Sequence, residues 1–194
     1  MNINPISFTR KIPISQCMLK DLSENKPVSA TCYEYDCKDL FDIAEIDNLD
    51  STWDFKYLFR TGMQAKYLCE NIGEKNDDIH YYCIKDSNGE IAGLCYTKST
   101  PNTIEVKLIN SKKNSNYKYV AQNMLAIIAQ KVLDTGKEKL VIKQALQDVF
   151  DFYGKTCGFK ISRQNFLGRD YEIDREDIPN FINLVQRRIL DISV

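Results

Sequence analysis

Between a strand-like run ending at Asn110 and a strongly helical run starting near Ala121 lies the octet Asn114-Ser115-Asn116-Tyr117-Lys118-Tyr119-Val120-Ala121. A chain entering a helix presents unpaired N–H groups and the positive end of the dipole, so loops in this setting often hold phosphates. Such loops are usually rich in glycine, and this one has none. Lys112, Lys113 and Lys118 bring point charges to it. Cys32 and Cys37 form a C-x4-C pair that is no zinc knuckle, and with the single His80 they read as packing rather than as a metal site. Cys157 has no histidine near it in sequence and reads as a buried thiol, not a nucleophile. Asp47, Asp50, Trp53, Asp54 and Tyr57 make either an acidic, aromatic rim that would attract a cation or an ordinary surface.

The bulk composition bounds these options. The 194 residues are 43% hydrophobic and 27% charged, as expected of one domain, 1–194, with a sizeable core. Lys+Arg at 26 against Asp+Glu at 27 leaves a net charge of -1 without long like-charge blocks, which argues against a nucleic-acid partner. No apolar stretch approaches the ~20 residues of a membrane span, and the start lacks a secretory apolar segment, so no membrane partner is expected. The seven cysteines (17, 32, 37, 69, 83, 95 and 157) are odd in number and without a C-x-x-C pair, which suits reduced thiols in a cytoplasmic protein, monomer or homodimer.

The elements that must position the octet follow from periodicity. Residues 1–30 show no sustained period and are expected to be a flexible arm or an edge strand. Leu40, Ile43 and Ile46 stand at helical spacing, and a second helix is expected over 54–72. Two β-rich runs then flank Asp86-Ser87-Asn88-Gly89, whose Asn-Gly supplies the positive φ of a hairpin turn. The run NTIEVKLIN alternates Ile104, Val106 and Leu108 against Glu105, Lys107 and Ile109. Glu105 therefore points away from the face that the aliphatic trio buries.

After the octet, Ala121, Leu125, Ile128 and Val132 define an amphipathic helix that Gly136 ends. A strand over 139–143 pairs in parallel with the 103–110 strand, because a helix crosses over between them. A helix over 146–156 carries Leu146, Val149, Phe150 and Tyr153 on one stripe and stops at Gly158. Strands FKISRQ and 169–174 and a closing helix within 176–194 complete the chain.

In this order the elements over 78–175 resemble the GNAT superfamily of acetyl-CoA-dependent N-acyltransferases. Gly93 in EIAGLCY matches the family's third-strand glycine, and Phe152-Tyr153-Gly154-Lys155-Thr156-Cys157-Gly158-Phe159 resembles F-Y-x-K-x-G-F with one extra residue. The resemblance implies an α+β fold: a central, mixed, mostly antiparallel sheet with helices on both faces. It also places the motif Q/R-x-x-G-x-G/A on Asn116, Tyr117, Lys118, Tyr119, Val120 and Ala121, followed by Gln122, as the coenzyme A pyrophosphate loop. Asn116 replaces Gln/Arg and Tyr119 replaces the middle glycine, which αR dihedrals in a first helical turn would accommodate.

The resemblance further implies that backbone groups of Leu108, Ile109 and Asn110 hold the pantetheine arm, with Gln144 and Gln147 near its amides. Glu105 stands on the strand that often carries the base, the alternative being a solvated carboxylate paired with Lys107. Tyr153 matches the tyrosine that protonates the leaving thiolate, a task suited to a phenol of pKa ~10, or is simply a core tyrosine on its stripe. The implied function is acetyl transfer from acetyl-CoA directly to a primary amine of a small molecule or peptide. The alternative is an inactive module that retains the fold.

Overall fold

The computed structural model describes residues 12–35, 78–112, 115–166 and 168–190. The expected helices near Leu40 and over 54–72, the rim from Asp47 to Tyr57, and Lys113 and Asn114 lie outside the described residues.

Among the described residues nine strands form one sheet: β1 (Ile12–Asp21), β2 (Lys26–Glu34), β3 (Ile79–Asp86), β4 (Ile91–Ser99), β5 (Thr103–Ser111), β6 (Tyr117–Lys118), β7 (Lys139–Ala145), β8 (Lys160–Asn165) and β9 (Gly168–Asp174). Their order is β6-β1-β2-β3-β4-β5-β7-β9-β8, antiparallel except for the β5–β7 pair. The parallel pair follows from the crossover through α1 (Val120–Asp134), and a second helix, α2 (Ile178–Ile189), closes the described chain.

Within the expected arm or edge strand at residues 1–30, β1 pairs with β2 along its length and with the two-residue β6 only at Lys20 and Asp21, so its other side is an edge from Ile12 to Leu19 among the described residues. Asp21 builds the hairpin turn, its Oδ1 accepting from Ser23 N–H at 2.7 Å, the Ser23 hydroxyl at 2.6 Å and Glu24 N–H at 3.2 Å, while Asn25 takes φ 50°. This is an Asx turn, a signal present in the sequence. The β1 residues before Leu19 are exposed or half-buried, so no two-residue period marks the strand.

The β3–β4 hairpin forms as expected, with Gly89 at φ 81° and Asp86 accepting the Asn88 and Glu90 N–H groups at 2.9 and 2.8 Å. On β5 the expected alternation fails after Val106. Tyr96 pairs with Leu108 but Thr97 with Val106, so Lys107 is an unpaired bulge residue. One inserted residue inverts the faces beyond it, and Ile109, not Leu108, packs against the core beneath α1.

That core joins Leu125, Ile128 and Val132 of α1 to Ile104 and Val106, Leu140 and Ile142, Tyr171, and Ile178 and Val185 of α2. Each such fully buried aliphatic side chain contributes about 1.5–3 kcal/mol from water exclusion. Tyr35, Tyr81, Cys83, Ile91 and Leu94 form a smaller cluster on the opposite face of the sheet. No helix among the described residues is long and apolar enough to cross a membrane.

Candidate active site

Where the two parallel strands part, a cleft opens. β5 and β7 pair from Thr103/Lys139 to Val106/Ile142 and no further, although β5 runs on to Ser111 and β7 to Ala145. Between the diverging ends lies a cavity of about 410 Å³, walled by Leu108, Ile109 and Asn110 on β5, Lys143 and Gln144 on β7, Ala121 on α1, and Tyr153. This is within the usual size of a small-molecule site, about 300–1,000 Å³. Asn110 is 6% exposed, and its side-chain Nδ2 has no hydrogen-bond partner.

The start of α1 forms the end of this cleft. No side chain caps the helix and no acidic residue lies in its first turn, so the N–H groups of Val120, Ala121 and Gln122 have no acceptor within the helix. Gly93 lets the helix start approach the sheet, since a Cβ there would stand 2.6 Å from Val120 Cγ1 and 3.3 Å from the Asn110 carbonyl oxygen. The expected αR dihedrals at Tyr119 are not found: φ is 66° and ψ 16°, left-handed, and Tyr119 is the N-cap residue. Glycine adopts this backbone freely, while a tyrosine does so at a cost.

The preceding residues are strand, not helix: Tyr117 and Lys118 pair with Asp21 and Lys20, and Leu22 N–H donates to Asn116 O at 2.7 Å. The Tyr117 hydroxyl donates to Asp86 Oδ2 at 2.9 Å. Burial first, then that carboxylate, pushes its pKa up to about 12.

The wall opposite α1 is the segment after β7. The expected helix over 146–156 forms as an unbroken helical run that opens as a 3₁₀ turn, Gln147–Val149, and closes as a π-helical turn, Phe152–Thr156. In the wide turn Cys157 N–H donates to Phe152 O, five residues back, at 2.9 Å. The π turn thereby absorbs the extra residue in the Phe152–Phe159 stretch. Gly158, at φ 74°, ends it. Tyr153, 5% exposed, is fixed between Phe152 and Tyr171, with ring centroids 5.0 and 5.6 Å away.

No protein-family model matches the chain, and no curated protein matches it by sequence. Solved structures do match. A Desulfovibrio desulfuricans protein assigned to the GNAT family of acetyltransferases superposes with TM-score 0.58 at 12% identity, over 75% of this chain and 99% of that one. The PaiA N-acetyltransferase of Thermoplasma acidophilum, in complex with coenzyme A, gives 0.51 at 14% identity, over 68% and 94%. The spermidine N-acetyltransferase of Vibrio cholerae gives 0.55 at 14%, over 78% and 96%. This is the GNAT fold.

Within the GNAT fold the expected site residues separate into groups. Leu108, Ile109, Asn110, Ala121, Gln144 and Tyr153 come together around the cleft. Asn116 and Tyr117 line a separate hollow of about 250 Å³ beside the β3–β4 turn. Lys118, Tyr119, Val120, Gln122 and Gln147 line neither cavity. Glu105 is also outside the cleft wall. Its carboxylate is held by Lys107 at 2.5 Å and Lys143 at 3.6 Å, the arrangement foreseen as the alternative to a free base.

Sequence reasoning missed Lys143 and Asp170. Lys143 lines the cleft and reaches Asp170 Oδ2 at 3.2 Å. Lys143 ends the strand expected over 139–143, which is its one sequence signal, and Asp170 has no local signal. Cys157 is 3% exposed with its thiol pushed up to about 12 by burial, so it stays protonated. None of the five described cysteines is in a disulfide, and no group of three or more metal-ligating side chains occurs among the described residues.

Proposed function

We propose that the chain is an N-acyltransferase that moves an acetyl group from acetyl-CoA directly to a primary amine of a small molecule or peptide. One observation carries this reading: the two parallel strands part onto an uncapped helix terminus, with Tyr153 in the wall of the gap. The amides of Val120, Ala121 and Gln122 suit a pyrophosphate, as unpaired donors at a positive dipole end. Ala121 leaves room for the approach. The backbone of Leu108, Ile109 and Asn110 extends along β5 with no partner on the β7 side, so it can hydrogen-bond an amide-bearing arm as another strand would.

In the transfer step the amine nitrogen attacks the thioester carbonyl, the C–S bond breaks, and Tyr153 gives its proton to the departing thiolate. A β5 N–H polarises the carbonyl oxygen. Glu105 lies behind the wall, one ion pair from Lys143, so it takes the amine's proton through water rather than by contact. The likeness to structures named as acetyltransferases supports the fold in which this chemistry is arranged.

The replacement of the loop glycine by Tyr119 favours the second reading, an inactive coenzyme A-binding module. An amine panel assayed for free thiol release from acetyl-CoA tests the proposal. Amine-dependent release on at least one member is expected. Binding of coenzyme A without release on any amine would favour the module.

A further inference from the structure

We infer that Asp170 is the positioning residue that holds the cleft open, by fixing a left-handed kink at Gln144 that turns β7 away from β5. The inference rests on the reading of that cleft as an acyl-CoA site. On its β9 side, β7 passes from Ile142↔Tyr171 to Ala145↔Arg169, three steps against two, so one extra residue is inserted where the strand leaves β5. Within this insertion Gln144 has φ 52°. A side-chain-bearing residue holds that conformation only when its surroundings enforce it.

Asp170 is that enforcement. Its Oδ1 accepts the Gln144 backbone N–H at 2.8 Å and its Oδ2 accepts Lys143 Nζ at 3.2 Å, so one carboxylate ties two consecutive residues of the cleft wall. It is 7% exposed, and a charge-assisted bond sheltered from water is among the stronger ones available. Lys143 continues the tie to Glu105 on β5 at 3.6 Å. Gly168 lets the β9 backbone lie close against the kinked end of β7, since a Cβ there would stand 2.5 Å from the Ala145 carbonyl oxygen. Asp170 itself is not in the cleft wall, so it acts through Gln144 and not on the ligand. Without it, the cheaper path for β7 is an ordinary extended residue at 144, which carries the strand on along β5 and narrows the gap.

Three variants test this, read by coenzyme A calorimetry and by NMR cross-strand contacts between β5 and β7. Asp170→Ala is expected to weaken coenzyme A binding by about tenfold or more, while Asp170→Asn, which keeps an oxygen facing the Gln144 N–H, stays within about threefold of the parent. Gln144→Gly in the Asp170→Ala background is expected to restore the parental pattern of β5–β7 contacts, because glycine takes this φ without cost. If Asp170 only neutralised Lys143, Asp170→Asn would be as damaging as Asp170→Ala and the glycine would rescue nothing; that pattern overturns the inference. Should Asp170→Ala be unfolded, recovery of the fold in the double variant is the expected result, and its failure together with a defective Asp170→Asn is the contrary one. A parent that binds no coenzyme A defeats the reading of the cleft. Asp170 is then judged by the contacts alone: new β5–β7 pairing beyond Val106/Ile142 in Asp170→Ala supports its role, and an unchanged pattern removes it.

Discussion

Gly93→Ala should both loosen the fold and weaken coenzyme A binding, because one methyl group there strikes the start of α1. The added Cβ would lie 2.6 Å from Val120 Cγ1. Ordinary carbon contacts sit at about 3.5–4.0 Å, so the overlap is about 1 Å. Val120 is β-branched and 3% exposed, so its side chain has little freedom to turn aside, and the helix start must move instead. Overpacking of this kind costs about 1–3 kcal/mol. For a chain of this length each kcal/mol lowers Tm by about 2–4 °C, so a fall of about 2–12 °C is expected in a thermal melt. The same shift moves the free amides of Val120, Ala121 and Gln122, and calorimetry should show coenzyme A affinity lower by about tenfold. Val120→Ala in the same chain removes Cγ1 and leaves the residue-120 Cβ at 4.0 Å, an ordinary contact, so it should restore much of both losses. A Gly93→Ala variant with parental Tm and affinity would refute the reasoning, as would a double variant no better than the single one.

Tyr153→Phe should lower turnover without losing coenzyme A affinity; unchanged turnover would remove Tyr153 from the acid role. Glu105→Gln should lower kcat/KM in the amine assay, and parental kinetics would leave Glu105 as a partner of Lys107 and Lys143 only. Tyr119→Ala and Tyr119→Gly lose the same ring, but only alanine keeps the left-handed penalty, so by urea unfolding the alanine variant should be less stable by about 1 kcal/mol. At Glu34, burial raises the carboxyl pKa, but hydrogen bonds from His80 at 2.6 Å and Lys131 at 2.8 Å outweigh it, and the net shift is downward. Its stabilisation is thus present above the usual carboxylate range and lost as pH falls through the folded pKa. Urea midpoints at neutral and acid pH should fall less steeply for Glu34→Gln than for the parent.

The readable parts of the fold were those governed by local rules. Asn88-Gly89 marks a hairpin because the turn needs positive φ, and the Leu125–Ile128–Val132 stripe marks α1 because one face must be buried. The parallel pairing of β5 and β7 followed from the helix between them. What escaped the sequence were single-residue departures from regular period. The bulge at Lys107 moves Ile109 to the core face, and no residue type announces it. The π turn at Phe152–Thr156 left a trace, the extra residue before Gly158, but its form depends on packing against Tyr171. The left-handed Tyr119 and Gln144 were hidden because neither is glycine. Gln144 is held by a side chain 26 positions away, a partnership that only the folded sheet creates.

The central claim is that the gap between β5 and β7, closed by the start of α1, receives acyl-CoA. Its most direct test is an NMR titration of the parent chain with coenzyme A, following the amides of Val120, Ala121, Gln122 and Gln144. The account predicts saturable shifts concentrated on these four and on Leu108–Asn110. Shifts centred instead on the groove of about 500 Å³ lined by Ile14, Ile127 and Ile182, or no shifts at millimolar coenzyme A, would contradict it.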